Sequence, residues 1–243
     1  MDRVALITGG ARGIGREIGL KLAARGWSVA IGYRSSADAA EQTRAAIVAR
    51  GSAAIAVEAD VARAEQCEAL VNQVAAWRGR IDVLIHAAGP YHRIAILDET
   101  PAGWREMMAS NLDSLFYLSR LCARGMIDRR WGRIVAFGIA NADRLQAQPG
   151  LTAYYLAKVG VVGLVRSLAK ELAPHQITVN AICPGFLDTG AMTAEERATR
   201  AAQIPAGHVG AAADAVHAAM YLLSDEAAYV TGANLPVSGG WGL

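Results

Sequence analysis

Short apolar runs alternate with long amphipathic segments along this chain at a period of about 25 residues, and that rhythm restricts the fold more than any other feature. Residues 4–7, 29–33, 54–57, 81–85, 133–137, 177–182 and 234–237 read as strands. Residues 14–25, 36–50, 64–77, 101–128, 152–172 and 212–223 read as helices, the first carrying Ile14, Ile18 and Leu22 on one face. Strands that are apolar throughout need cover on both sides, and helices between them supply it. The reading is an α/β chain with a doubly wound parallel sheet and helices on both faces.

The 243 residues are 53% hydrophobic, which excludes a disordered chain, and no linker-like change of composition divides them. One catalytic domain over residues 1–243 is expected. Residues 184–210 are too long for a structureless loop in a compact domain. Within them Thr193 and Glu196 have capping-box spacing, so a short helix is expected there, and residues 186–210 read as a lid over a pocket. The 24 basic and 22 acidic residues leave a formal charge of +2, too little for a general nucleic-acid surface. Cys67, Cys122 and Cys183 lie far apart without metal-like spacing and read as buried thiols in a reducing compartment. The first apolar run is too short for a signal peptide or a membrane span. No membrane partner, no metal and a cytoplasmic location are the corresponding expectations.

The first strand runs into Thr8-Gly9-Gly10-Ala11-Arg12-Gly13-Ile14-Gly15 and then a helix. Glycines there allow a tight turn and close approach of a pyrophosphate, while the helix start offers oriented N–H groups. The strand, turn and helix context makes this a dinucleotide site of Rossmann type, with Gly9, Gly13, Ile14 and Gly15 as its cradle.

The spacing of Gly9, Gly13 and Gly15 after Thr8 resembles the short-chain dehydrogenase/reductase family, and the resemblance runs over essentially the whole chain. It implies that Asp60 and Val61 border the adenine, that Ala87, Ala88 and Gly89 follow the fourth strand along the cofactor, and that Pro184, Gly185, Phe186 and Thr189 form the nicotinamide-side loop. His86-Ala87 stands where that family usually has two asparagines. At the end of the second strand, a carboxylate would select NAD through the ribose 2′-hydroxyl, whereas a 2′-phosphate needs cations and hydroxyls. The chain has Arg34-Ser35-Ser36 there and Arg12 in the glycine loop, and its first carboxylate, Asp38, comes a helical turn later. NADP(H) is the expected cofactor.

Tyr154 and Lys158 lie four apart in a helical segment, so both share one face. A neighbouring ammonium would lower the tyrosine pKa and make it a proton donor to a carbonyl oxygen. Lys158 is one of only three lysines, and its helix is otherwise apolar. Tyr155 points about 100° away and reads as packing or pocket wall. By resemblance, Asn111 would bend its helix and hold a relay water beneath the lysine.

The family's catalytic serine has no counterpart: Ile139 stands in its place, and no serine or threonine occurs between Gly132 and Leu151. Asn141 is the first candidate for a substitute donor, Asp143 a poorer one. The chain most resembles bacterial 3-oxoacyl-acyl-carrier-protein reductases. That implies a small-molecule or carrier-bound keto substrate, with Arg129 and Arg130 near the carrier-docking position, and a homotetramer. Two readings stay open: an NADPH-dependent ketone reductase, or a dinucleotide-binding subunit that has lost useful turnover.

Overall fold

A computed structural model describes residues 3–190 and 192–243. Met1, Asp2 and Ala191, which include the extreme ends of the expected domain and one position of the expected lid, lie outside the described residues. The chain runs β1 (Val4–Thr8), α1 (Gly13–Ala23), β2 (Ser28–Tyr33), α2 (Ala37–Val48), β3 (Ala54–Glu58), α3 (Ala64–Arg78) and β4 (Val83–His86). It continues through α4 (Pro101–Met108), a π-helical stretch (Ala109–Asp113), α5 (Ser114–Arg129), β5 (Gly132–Phe137), α6 (Thr152–Leu172) and β6 (Ile177–Pro184). The remainder is β7 (Leu187–Asp188), α7 (Ala194–Ala201), β8 (Gly210–Ala211), α8 (Ala212–Leu222) and β9 (Asn234–Val237).

Seven strands form one parallel sheet in the order β3-β2-β1-β4-β5-β6-β9. Successive residues of a strand face opposite sides, so Leu6 and Ile7, both fully buried, belong to different cores. Leu6 packs in the layer formed with α3, α5 and α6, and Ile7 in the layer formed with α1, α2 and α8. This is the doubly wound architecture that uniformly apolar strands require. After β3 the chain crosses back to place β4 on the other side of β1, where Thr8 is opposite His86. Loops leaving β1 and β4 therefore diverge at their C-terminal ends and open a crevice, the usual ligand position in such sheets.

Two departures from the sequence reading bear on that crevice. The helix expected over 101–128 is two helices joined by the π-helical stretch, which contains Asn111. The Asn111 amide donates to the Met107 carbonyl at 3.0 Å and the Pro90 carbonyl at 3.2 Å. Its side chain thus competes for backbone acceptors, which accounts for the widened turn. In the second, β7 and β8 pair through Leu187 with Gly210 and Asp188 with Ala211, closing the base of the 184–210 stretch. Two-residue strands carry no periodic signal. Thr193 and Glu196 make the expected capping box on α7: the Glu196 N–H donates to the Thr193 hydroxyl at 3.1 Å, and the Thr193 N–H to the Glu196 carboxylate at 2.9 Å.

Candidate active site

At the end of β1 the backbone turns at Gly9, whose φ of +68° is open to glycine at little cost. A Cβ on Gly15 would stand 2.5 Å from the Gly9 carbonyl oxygen, so α1 can begin this close to the turn only with glycine there. The result is a cavity of about 380 Å³ at the crevice. It brings together Gly9, Arg12, Arg34, Ser35, Ser36, Asp60, Val61, Ala87, Ala88 and Gly89 of the expected set. Gly13, Ile14 and Gly15 start α1 behind the cavity rather than lining it. Gly32, Tyr33, Ser110 and Pro90 also line it but have no motif of their own. Asp38 does not reach it; Arg34 does, half exposed, with Glu106 at 3.5 Å. The cradle fits a dinucleotide: backbone packed too closely for side chains, a helix N-terminus without acidic residues in its first turn, and cations at the far end.

A second cavity, of about 330 Å³, is lined by Tyr154 together with Gly138, Ile139, Gln148, Pro184, Gly185 and Phe186. Tyr91, Arg93, Arg200 and Trp241 join them from distant parts of the chain, and sequence reasoning missed all four. Tyr91 lies edge-on to Tyr154 with ring centroids 5.2 Å apart. Thr189 is exposed and lines neither cavity.

Tyr154 and Lys158 share a face of α6, the ammonium 5.5 Å from the tyrosine ring centroid. Lys158 is buried and donates to the Phe137 carbonyl at 2.8 Å, tying α6 to the end of β5. Burial lowers its pKa to about 8. The expected lowering of the tyrosine pKa is not found: burial, with Tyr91 and Cys183 nearby, pushes Tyr154 up to about 12. Desolvation of the phenolate is the largest cause. Tyr154 is a protonated phenol across the neutral range.

Asn111 lies beside this pair. Its Oδ1 is buried without a partner, and a Cβ on Gly89 would run into it while standing 3.6 Å from Lys158 Nζ. A buried acceptor with nothing to accept is a place for a water. His86 is fully buried at the end of β4 and bonds the Ser114 hydroxyl at 2.7 Å, joining strand to helix. Burial and Lys158 lower its pKa to about 3, so it stays neutral.

Asn141 is not among the residues lining either cavity. Its amide donates to Gln146 at 3.2 Å, and its carbonyl accepts the Tyr155 hydroxyl at 2.9 Å. Tyr155 in turn accepts the Gln146 N–H at 2.9 Å, so it packs and holds the 141–146 turn. Asn141 belongs to that turn because its backbone and amide both bond inward. Asp143 is exposed. Arg129 is also turned inward, to the Ile81 carbonyl at 2.6 Å and Asp82 at 3.3 Å, because buried Asp82 needs cationic partners. Arg130 is exposed and donates to the Pro174 carbonyl.

A family model described as "Enoyl-(Acyl carrier protein) reductase" matches residues 9–242. A 3-oxoacyl-(acyl-carrier-protein) reductase from Haemophilus influenzae is 37% identical over 241 residues, covering 98% of this chain and 97% of the relative. Its Staphylococcus aureus counterpart is 35% identical over 243 residues, covering 99% and 98%. This chain is a short-chain dehydrogenase/reductase. Solved structures agree: a double mutant of a Serratia marcescens short-chain dehydrogenase/reductase superposes with a TM-score of 0.92 at 33% identity, covering 99% of this chain and 98% of that one. The acetoin dehydrogenase of Salmonella typhimurium gives 0.91 at 30% identity, covering 99% and 96%. Membership makes the chain a nicotinamide-dependent oxidoreductase. None of its described helices is long and apolar enough to cross a membrane.

Proposed function

We propose that this enzyme uses NADPH to reduce a ketone to the alcohol, with 3-oxoacyl thioesters, free or on an acyl carrier protein, as its substrate class. The observation that carries the reading is Tyr154 lining a cavity, with Lys158 buried beside it on the same helix face. When bound, the reduced nicotinamide supplies hydride to the carbonyl carbon. Tyr154 Oη gives its proton to the carbonyl oxygen as negative charge develops there. The Lys158 ammonium stabilises the resulting phenolate and, with a water accepted by Asn111 Oδ1, returns a proton to it. Residues 186–210 act as the lid, and Phe186 and Trp241, with ring centroids 4.7 Å apart, exclude water from that side.

Support for NADPH over NADH is the presence of Arg12, Arg34, Ser35 and Ser36 in the lining around the end of β2, with Asp38 outside it. The relatives' printed activity supports the substrate class. With Ile139 in the lining and Asn141 bonded elsewhere, two amides line the Tyr154 cavity; Gln203 donates to the Thr199 carbonyl at 3.3 Å, which leaves Gln148 as the amide to replace the missing serine. We place the enzyme in the cytoplasm, where its three buried free cysteines stay reduced.

Following NADPH oxidation with acetoacetyl thioesters and simple ketones tests the reading. Turnover should appear in the wild type and fall roughly 10²-fold or more in Tyr154→Phe. Equal inertness of both, with NADPH still bound, would leave a nucleotide-binding subunit instead. Titration should favour NADPH over NADH, and Arg34→Ala should erode the preference; equal affinities in the wild type would refute the cofactor assignment.

A further inference from the structure

Two arginines line the Tyr154 cavity from separate parts of the chain, Arg93, exposed, from the loop after β4 and Arg200, half-buried, from α7. No aspartate or glutamate among the described residues lines this cavity. Among the described residues neither arginine side chain forms a salt bridge or a hydrogen bond, whereas Arg197, one turn before Arg200, is held by Asp188. Arg200 stacks over the Phe186 ring at 4.6 Å, and Phe186 leans on Trp241. Stacking occupies the guanidinium face and leaves its in-plane N–H donors free, which is the arrangement that grips a carboxylate or phosphate. The rest of the lining is uncharged and includes Ile139, Tyr91 and Tyr154. A cavity of about 330 Å³ has room for a small substrate and its charged group together.

We propose that this cavity selects ketones that carry an anionic oxygen group, with Arg93 and Arg200 as its recognition residues and Phe186 as the platform that orients Arg200. The inference rests on the ketone-reductase reading and adds the charge of the substrate to it. Two sources share that chemistry: the phosphate of a phosphopantetheine arm, or the carboxylate of a free oxo acid.

Binding, measured separately from turnover, tests it. With NADPH bound, hydroxy products cannot react, so isothermal titration reads their affinity alone. One arm compares 3-hydroxybutyryl-phosphopantetheine with its unphosphorylated pantetheine thioester. The other compares a series of hydroxy acids, the carboxylate two to five carbons from the hydroxyl, with their methyl esters. In at least one arm the anionic member should bind roughly 10-fold to 100-fold more tightly, the range of a charge-assisted hydrogen bond, and that arm names the source. Arg93→Gln and Arg200→Gln should each shrink the ratio, while Arg200→Lys, which keeps the charge, should retain part of it. Anionic and neutral members binding alike in both arms, or a ratio that survives both glutamine variants, would overturn the proposal. A ratio that behaves as stated in an enzyme that oxidises no NADPH would instead count against the reductase reading alone.

Discussion

Lys158 is placed where a charge is expensive. Its ammonium is buried, has one carbonyl partner, and has a pKa lowered to about 8. At neutral pH the folded chain therefore carries an ammonium that the unfolded chain would hold more readily, at a cost of a few kcal/mol. Because the folded pKa lies below the unfolded one, the cost is full below pH 8 and disappears as pH rises to the ordinary lysine value near 10.5. Lys158→Met should thus abolish turnover yet raise stability in denaturant melts of the cofactor-free protein. The gain over wild type should be largest at pH 7 and shrink between pH 8 and 10.5; a gain independent of pH would show that the ammonium is not the source. That Tyr154 and Lys158 share a helix face could be read from their spacing. The rise of the tyrosine pKa could not, because it depends on how completely neighbouring segments remove water.

Helix α7 shows how one element connects sequence pattern to the site. Its eight residues, Ala194–Ala201, bury nothing, so packing contributes little and the Thr193 and Glu196 capping box carries much of its stability. Thr193→Ala should cost about 1 kcal/mol locally, seen as faster hydrogen exchange of α7 amides. Because Arg200 projects from this helix into the Tyr154 cavity, KM should rise while kcat changes little. Unaltered exchange would mean that the β7 and β8 pairing, not the cap, holds the segment. The capping box was legible because it is a local pattern of three residues' span. The π-helical stretch was not: residues 101–128 keep a helical rhythm, and only the pull of Asn111 toward Pro90, on another segment, opens the turn.

For the whole molecule, the sheet order makes the active site. Gly9, Arg34, Asp60 and Gly89 come from four loops that meet only because β1 lies between β2 and β4. The same scale applies to assembly. Phe116 on α5 and Leu156 on α6 remain 47% and 41% exposed in one chain, unusual for large apolar side chains on central helices. We propose that they pair across subunits in a homotetramer. Light scattering should find four copies in the wild type and smaller species in Phe116→Asp; a wild-type monomer would refute it.

By itself the sequence determined the alternation of strand and helix, the glycine turn after β1, and the tyrosine and lysine on one helix face, since each is encoded by residues within a turn or two of one another. Tertiary structure alone decided that Asn141 bonds inward, that Arg129 serves buried Asp82, and that Tyr91, Arg93, Arg200 and Trp241 surround Tyr154. Those outcomes depend on which distant segments share a crevice, and that proximity arises only when apolar burial on both faces of the sheet brings the ends of its strands together.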